Sequence, residues 1–266
     1  MSQETVELAL AEPLSPLTLC IHGEQDQHVS KTLRETAVWE PFESHLILER
    51  LQRGATFVDV GANIGYFSVL AAQQVGAAGQ VFAFEPDPAN VALLRQSIAL
   101  NELRNCDVIE AGLSSTDQKA QLFLSENNFG DHQIYAHGNA RQSVDIELLN
   151  GTSYLRPRLS RLDFLKVDVQ GAEIEVMAGL MPLLLELNAY PDVLIELTPY
   201  SLVQAGGSGR QLIELLARLN LPFWIVDHIE HDLVASTAEE LAVWCDNVES
   251  CGDDQGFMNI MLSKNG

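Results

Sequence analysis

Basic residues are scarce in this chain. Its 266 residues include 15 lysines and arginines against 37 aspartates and glutamates, so the formal net charge is -22 at pH 7. A surface of this sign repels phosphate backbones and anionic membranes. We therefore expect neither nucleic acid nor a membrane surface to be a partner.

Cysteines and long apolar runs are also few. The four cysteines form no Cys-x-x-Cys pair and have no histidine spacing typical of a zinc site, which favours reduced thiols. Residues 1–4 (MSQE) lack the basic and apolar regions of an export signal, and charges or prolines interrupt each apolar run before it reaches membrane-spanning length. We expect a cytoplasmic protein without a membrane anchor.

No internal repeat and no low-complexity linker divides the chain. Apolar residues make up 47% of the composition and charged residues 20%, as is usual for a packed globular protein. A length of 266 residues is at the upper end of one domain. We therefore predict a single domain over residues 1–266.

Short apolar runs alternate with helical patterns from about Thr56 onward, which indicates βαβ units and a parallel sheet. The predicted strands are 56–60, 81–85, 108–111, 164–168 and 193–197, and the first two helices are 64–74 and 88–100. A helix is predicted over 210–219, and strands 223–227 and 258–262 are expected to pair antiparallel. The acidic residues Asp59, Glu85, Asp168 and Glu196 would meet at one edge of the sheet, where α/β proteins bind ligands.

Two segments stand outside this alternation. Residues 1–52, with one strand at 17–21 and one helix at 42–51, are predicted to be a small N-terminal cap. Residues 112–162 are predicted to be a β-rich insertion, because 121–124 and 144–148 have extended patterns. The polar, glycine-containing stretch 127–132 is typical of a loop that covers a site.

A glycine turn follows the first predicted strand. Gly61 and Gly65 have the spacing Gly-x-x-x-Gly, which differs from the dinucleotide fingerprint and from a phosphate loop. Asp59, just before the turn, would repel a pyrophosphate but suits the ammonium group of a methionine moiety. Glu85, at the end of the next strand, is placed to accept hydrogen bonds from ribose hydroxyls. Both carboxylates also have structural interpretations, as a helix cap and a solvated strand end.

Three segments resemble the FkbM-type methyltransferases: FVDVGANIGYFS at 57–68, FEPDP at 84–88 and LKVDVQGAE at 165–173. The resemblance extends from about Trp39 to Glu196. It implies a Rossmann-like class I methyltransferase fold, with a mostly parallel seven-stranded sheet and an antiparallel C-terminal strand. It also implies S-adenosylmethionine as the methyl donor and a hydroxyl of a sugar or secondary metabolite as the acceptor.

The resemblance also assigns the donor site. It implies that Glu85 binds the ribose, and that two groups surround the other parts of the donor: Asp59, Gly61, Asn63 and Gly65 at the methionine end, and Gly112, Leu113 and Ser114 at the adenine. Ala62 and Pro86 complete the expected set. One departure is visible, because the family commonly has Glu where this chain has Gln170 in Asp168-x-x-Gly171-x-Glu173. An amide orients a substrate but cannot act as a base.

The catalytic base is not fixed by the sequence. Asp168 is the first candidate because it ends the fourth strand, and its alternative interpretation is a structural partner of Lys166. His132, beside Asp131 in the insertion, is the second. His228 is a weaker candidate. Asp168 and Glu196 together would also suit a magnesium ion, so the need for a metal stays open.

Three functions fit these residues. The first is an O-methyltransferase that acts on a small hydroxylated molecule. An NAD-dependent oxidoreductase would also use an acidic residue at the Glu85 position, and a non-catalytic S-adenosylmethionine-binding module would keep the donor pocket without the chemistry. Residues 39–41 (WEP) are expected either to close the donor pocket or to pack in the core.

Overall fold

The computed structural model describes residues 4–9, 15–135, 141–251 and 256–265. Residues 1–3 of the N-terminus, residues 10–14 of the expected cap and residues 136–140 of the expected insertion lie outside this part. In chain order, the described elements up to the fourth helix are β1 (Thr5–Glu7), β2 (Thr18–Cys20), α1 (Val29–Thr36), α2 (Pro41–Arg50), β3 (Thr56–Val60), α3 (Tyr66–Val75), β4 (Gln80–Phe84) and α4 (Pro88–Leu100).

The remaining elements complete the sheet and add a second one. They are β5 (Cys106–Ile109), β6 (Gly112–Ser114), β7 (Gln118–Phe123), β8 (Ser143–Asn150), α5 (Gly151–Leu155), β9 (Phe164–Val167), α6 (Glu173–Glu186), β10 (Asp192–Leu197), α7 (Pro199–Gln204), α8 (Gly209–Ala217), β11 (Phe223–Asp227), β12 (Asp232–Ser236), α9 (Ala238–Ser250) and β13 (Met258–Leu262).

The central sheet has the strand order β12-β11-β13-β10-β9-β3-β4-β5. Strands β5, β4, β3, β9 and β10 are parallel, and β13 lies antiparallel between β10 and β11. This arrangement confirms the predicted Rossmann-like sheet with an antiparallel C-terminal strand. The predicted strand count of seven was wrong, because β12 pairs with the outer edge of β11 as an eighth strand. Three of its five residues are exposed, and its apolar run is only the three residues 233–235, which is too short to mark a strand of the sheet.

Strands β3 and β9 form the centre of the core. Every residue of both strands is buried, as expected for parallel strands that helices cover on both faces. The rings of Phe57 and Phe164 pack 5.7 Å apart on one face. That face is covered by the N-terminal segment and α3, and the other is covered by α6, α8 and α9. The ends of β3 and β9, which carry site residues, therefore belong to a closely packed layer.

The predicted cap and insertion take defined structures. In the N-terminal segment, β1 and β2 form an antiparallel pair, and β2 is fixed to α4 by the hydrogen bond from Cys20 N to Ser97 Oγ (2.9 Å). In the insertion, β7 and β8 pair antiparallel and β6 pairs parallel with β8, which makes a separate three-stranded sheet. The extended patterns at 121–124 and 144–148 thus correspond to β7 and β8. In the described part of the chain, no helix has both the length and the apolar character needed to span a bilayer.

Helix α4 offers a matched test of the packing beneath the site. Leu94 is fully buried, whereas Leu100, at the end of the same helix, is 57% exposed. We expect Leu94→Ala to lower the free energy of unfolding by about 2–5 kcal/mol, because it leaves a cavity in the core. Leu100→Ala should change it by less than about 0.5 kcal/mol. Urea unfolding of the two variants measures the difference, and equal losses would contradict the packing described here.

Candidate active site

One large cavity opens at the carboxyl ends of the parallel strands. Its volume is about 980 Å³. The loops after β3, β4, β9 and β10 form one part of its wall, and the N-terminal segment, the insertion and Phe257 also contribute to it. Seven of the ten expected donor-binding residues line it: Gly61, Ala62, Asn63, Glu85, Pro86, Gly112 and Leu113. Both proposed catalytic residues, Asp168 and His132, also line it.

The glycine turn is required by packing as well as by the cavity. Gly61 has a φ of 83° and Gly65 a φ of 92°, a region that favours glycine. A Cβ on Gly61 would overlap the carbonyl oxygen of Asp168, and a Cβ on Gly65 would overlap the side chain of Leu94. The turn therefore passes between the β9 loop and α4 with no room for side chains. Gly65 itself lies behind the cavity wall.

Glu85 connects the glycine turn to the start of α4. Its Oε2 accepts a hydrogen bond from Asn63 N (2.8 Å), and its Oε1 accepts from Asp87 N (2.9 Å) and Asn90 Nδ2 (3.4 Å). Burial raises the pKa of Glu85 to about 7 although these donors favour the charged form. The side chain is thus a fixed acceptor in the cavity wall, where hydroxyl groups of a ligand have access to it.

Asp59 occupies different surroundings from Glu85. Its side chain is fully buried and is not part of the cavity wall. Oδ2 accepts a hydrogen bond from Ser68 Oγ (2.6 Å), whereas Oδ1 has no hydrogen-bond partner in the described residues. Burial raises its pKa, and the neighbouring Lys166 opposes that effect. The structure therefore places Asp59 beneath the floor of the cavity. Ser114, also buried, lies outside the wall as well.

Beyond Asp59, four polar residues form a carboxylate cluster on the cavity floor: Lys166, Asp168, Gln170 and Glu196. Lys166 Nζ donates to Asp168 Oδ2 at 3.0 Å. Gln170 Nε2 donates to Asp168 Oδ1 at 3.0 Å and to Glu196 Oε2 at 2.6 Å. Thr198 Oγ1 also donates to Glu196 Oε2, at 3.1 Å. The cluster joins the loop after β9 to the end of β10.

The charges in this cluster depend on one another. Burial by itself would lower the pKa of Lys166, but the carboxylates of Asp168, Asp59 and Glu40 outweigh burial and raise it, so the ammonium stays charged. Burial and then the charge of Asp168 raise the pKa of Glu196 well above its usual range. Burial raises the pKa of Glu40 to about 8, against the opposing effect of Lys166.

His132 holds a loop over the cavity. Residues 125–132, here called the cover loop, contact the glycine turn through the hydrogen bond from Asn63 Nδ2 to Phe129 O (2.9 Å). Nδ1 of His132 accepts from Ser125 N (3.1 Å), and Nε2 lies 3.5 Å from Asp87 Oδ2. Although burial opposes the effect, His132 lowers the pKa of Asp87. Nδ1 is thus engaged within the cover loop and Nε2 at the start of α4.

Sequence reasoning considered Glu40 only as part of residues 39–41, expected to close the donor pocket or to pack in the core, and it considered Lys166 only as a partner of Asp168. Glu40 lines the cavity at the N-terminus of α2, with a φ of 42°, and Pro41 begins the helix. The Glu-Pro pair does mark a helix start. It does not show that the carboxyl group of Glu40 interacts electrostatically with Lys166, because that interaction joins distant parts of the chain. His228 contacts Glu43 (2.7 Å) and does not line the cavity.

The sequence profile of the Methyltransferase FkbM domain matches residues 59–220. The chain belongs to this family. The match begins at Asp59 and includes the glycine turn, Glu85 and the carboxylate cluster. The FkbM prediction is therefore confirmed, as are the methyltransferase activity and S-adenosylmethionine as the donor. The NAD-dependent alternative is set aside by the same finding.

The chain is also similar to individual methyltransferases. Methyltransferase sdnD of Sordaria araneosa is 30% identical over 183 residues, which are 57% of this chain and 70% of the relative. Methyltransferase 1 of Beauveria bassiana is 27% identical over 46% of this chain and 57% of the relative. Hexuronic acid methyltransferase AglP of Haloferax volcanii is 26% identical over 66% of this chain and 67% of the relative.

A solved structure of an FkbM methyltransferase from Methylobacillus flagellatus is also similar. It is 14% identical, with a TM-score of 0.46, over 80% of this chain and 44% of the other.

The chemistry of the wall fits the donor. The molecule brings a ribose with two hydroxyls and a positively charged sulfonium. Glu85 offers carboxylate oxygens for hydroxyls, and the side chains of Glu40, Lys166, Asp168 and Glu196 line the floor. Within the described residues, no group of three or more histidine, cysteine, aspartate or glutamate side chains is arranged to hold a metal ion.

Glu173 is buried at the first turn of α6, behind the carboxylate cluster. Both of its carboxylate oxygens accept from Gly171 N, at 3.1 and 3.0 Å. Burial raises its pKa to about 7. Because the folded protein then holds a proton that the unfolded chain releases near pH 4.5, this group stabilises the fold at low pH. Its contribution is lost as the pH rises through about 7.

We therefore expect Glu173→Gln to make the free energy of unfolding less dependent on pH. Between pH 5 and 7, the free energy of unfolding of the variant should rise relative to that of the natural protein by up to about 1.4 kcal/mol for each pH unit. Glu175→Gln, at an exposed position of the same helical turn, is the control and should follow the natural protein. Urea titrations at several pH values measure the slopes. A Glu173→Gln slope equal to that of the control would refute the assignment.

Proposed function

We propose that this FkbM methyltransferase transfers the methyl group of S-adenosylmethionine to a hydroxyl oxygen of a sugar or secondary metabolite in the cytoplasm. The observation that carries the proposal is the position of the carboxylate cluster, which opens into the same cavity as the glycine turn and Glu85. The hexuronic acid methyltransferase named above supports a sugar acceptor. The net charge of -22 supports a small molecule over nucleic acid.

The donor is proposed to lie along the glycine turn. Glu85 would accept hydrogen bonds from the ribose hydroxyls, and Pro86, Gly112 and Leu113 would border the adenine, with Ser114 supporting them from the core. The turn from Gly61 to Gly65, with Ala62 and Asn63, would face the methionine part. Asp59 would act there through its charge and through Lys166, since its carboxylate is covered.

Asp168 is proposed to accept the proton of the acceptor hydroxyl. The bound donor supplies an electrophilic methyl group with its own leaving group, so the protein has to align the acceptor and remove one proton. Asp168 faces the cavity and is held by Lys166 on one oxygen and by Gln170 on the other. His132 ranks second as a proton acceptor, because Ser125 and Asp87 occupy its nitrogens; its proposed part is to hold the cover loop in place.

Glu85→Gln tests the donor site. The two backbone donors at Asn63 and Asp87 require two acceptor oxygens, and an amide presents an N–H group to one of them. We expect the affinity for S-adenosylhomocysteine to fall about tenfold or more, because a hydrogen bond to a charged group is worth about 1.5–3 kcal/mol. Calorimetric titration measures this. Glu110→Gln, which removes a half-exposed carboxylate, should bind as the natural protein does, and NAD should give no binding heat.

Asp168→Asn tests the chemistry. With a methyl-labelled donor and a panel of hexoses, hexuronic acids and glycosides, the variant should transfer methyl groups about 100-fold more slowly, because it lacks the base. Its affinity for S-adenosylhomocysteine should be unchanged. Asp246→Asn, at an exposed carboxylate of α9, is the control. Unchanged turnover in Asp168→Asn would remove this residue from the role. If the natural protein binds the donor product and labels none of the panel, the non-catalytic binding module is favoured instead.

A further inference from the structure

The amide of Gln170 bridges two carboxyl groups on the cavity floor. Its nitrogen bonds to Asp168 on one side and to Glu196 on the other. The backbone reaches this position through a φ of 53° at Gln170 and 101° at Gly171. Left-handed conformations cost energy in a residue with a side chain and persist where the surroundings enforce them. The two carboxyl groups are therefore held as close neighbours that face one cavity.

The two carboxyl groups are not equivalent. The ammonium of Lys166 bonds to Asp168, whereas Glu196 receives the neutral donors Gln170 and Thr198, both on Oε2. The other oxygen of Glu196, Oε1, has no hydrogen-bond partner within the described residues. One cation thus serves two adjacent carboxyl groups, and like charges at this separation disfavour two ionised groups.

The surroundings of Glu196 favour its neutral form. Burial raises its pKa most, and the carboxyl groups of Asp168, of Glu173 on α6 and of Glu40 just before α2 raise it further. Lys166 is the neighbouring positive charge, and its hydrogen bond goes to Asp168. Since Oε2 already accepts two hydrogen bonds, the proton of Glu196 belongs on Oε1. That oxygen then offers an O–H donor beside the carboxylate of Asp168.

We propose that Asp168 and Glu196 recognise two adjacent hydroxyl groups of the acceptor, the first as a hydrogen-bond acceptor and the second as a hydrogen-bond donor. The inference rests on the proposed function and narrows its substrate to a vicinal diol. The hydroxyl that donates to Asp168 is the one methylated. Its oxygen forms the new bond to the methyl carbon, the carbon–sulfur bond breaks with its electron pair passing to sulfur, and the hydroxyl proton goes to Asp168. The neighbouring hydroxyl accepts from Glu196 and fixes the orientation.

Gln170 is the positioning residue of this pair. A glutamate at this position would add a third carboxyl group and would lose the N–H that bonds to both neighbours. The departure from the family's common glutamate therefore suits a pair in which one carboxyl group is ionised and the other is neutral. Arrangements of two carboxyl groups with opposite protonation are a general means of dividing two roles between them.

The protonation of Glu196 is measured directly by carbon NMR. The protein is labelled with 13C at the glutamate side-chain carboxyl and saturated with S-adenosylhomocysteine. The resonance that disappears in Glu196→Gln belongs to Glu196. We expect it at the shift of a neutral carboxylic acid at pH 7, with a pKa well above the usual range of a glutamate. A Glu196 resonance at the shift of an ionised carboxylate at pH 7 would overturn the proposal.

The diol preference is measured with minimal probes, cis-1,2-cyclohexanediol and cyclohexanol, by saturation-transfer NMR on the same complex. The diol should bind about tenfold more tightly. Glu196→Gln keeps an N–H donor and should keep this preference, whereas Glu196→Leu and Gln170→Met should lose it while binding S-adenosylhomocysteine normally. Equal binding of the two probes to the natural protein would refute the inference.

These outcomes are separable from those of the proposed function. If the protein shows no diol preference but transfers methyl groups to simple alcohols, the methyltransferase assignment stands and the vicinal diol is rejected as the acceptor. Binding of the diol and a neutral Glu196, without any methyl transfer, would support the recognition pair and contradict the proposed chemistry.

Discussion

The buried ammonium of Lys166 is the charge on which the active-site floor depends. It lies on β9 beside Asp59 of β3, its partner in the strand register, and it bonds to Asp168 at the top of its own strand. A buried charge without partners is costly, and a buried carboxylate such as Asp59 is equally costly. The pairing therefore ties the floor beneath the glycine turn to the loop that carries Asp168. It also leaves Glu196 without a cation of its own.

The glycine turn also has a packing role. Glycines after the first strand of such a sheet usually leave room for a ligand to approach the backbone. Here Gly61 also admits the carbonyl oxygen of Asp168, and Gly65 admits the side chain of Leu94. The glycine turn and the loop that carries the carboxylate cluster are thus in direct backbone contact. A side chain at Gly61 would displace the residue proposed to accept the proton.

The carboxyl groups in the two parts of the cavity are held in different ways. Beside the glycine turn, Glu85 is held by backbone amides, so its position follows from the path of the main chain. On the floor, the side chains of Lys166, Gln170 and Thr198 hold the two carboxyl groups. A site held by side chains changes with single substitutions, whereas one held by backbone does not.

The sequence by itself determined the alternation of strands and helices, the turn after β3, the acidic residue after β4 and the membership of the FkbM family. These features are local: burial of a strand or a tight turn requires particular residue types within a few positions. Only the tertiary structure decided that Asp59 is covered, that β12 adds an eighth strand, that His132 bonds to Asp87 and that Gln170 joins Asp168 to Glu196. Each of these depends on a contact between distant segments. Sequence patterns show which residues are buried, but they do not show what lies opposite them.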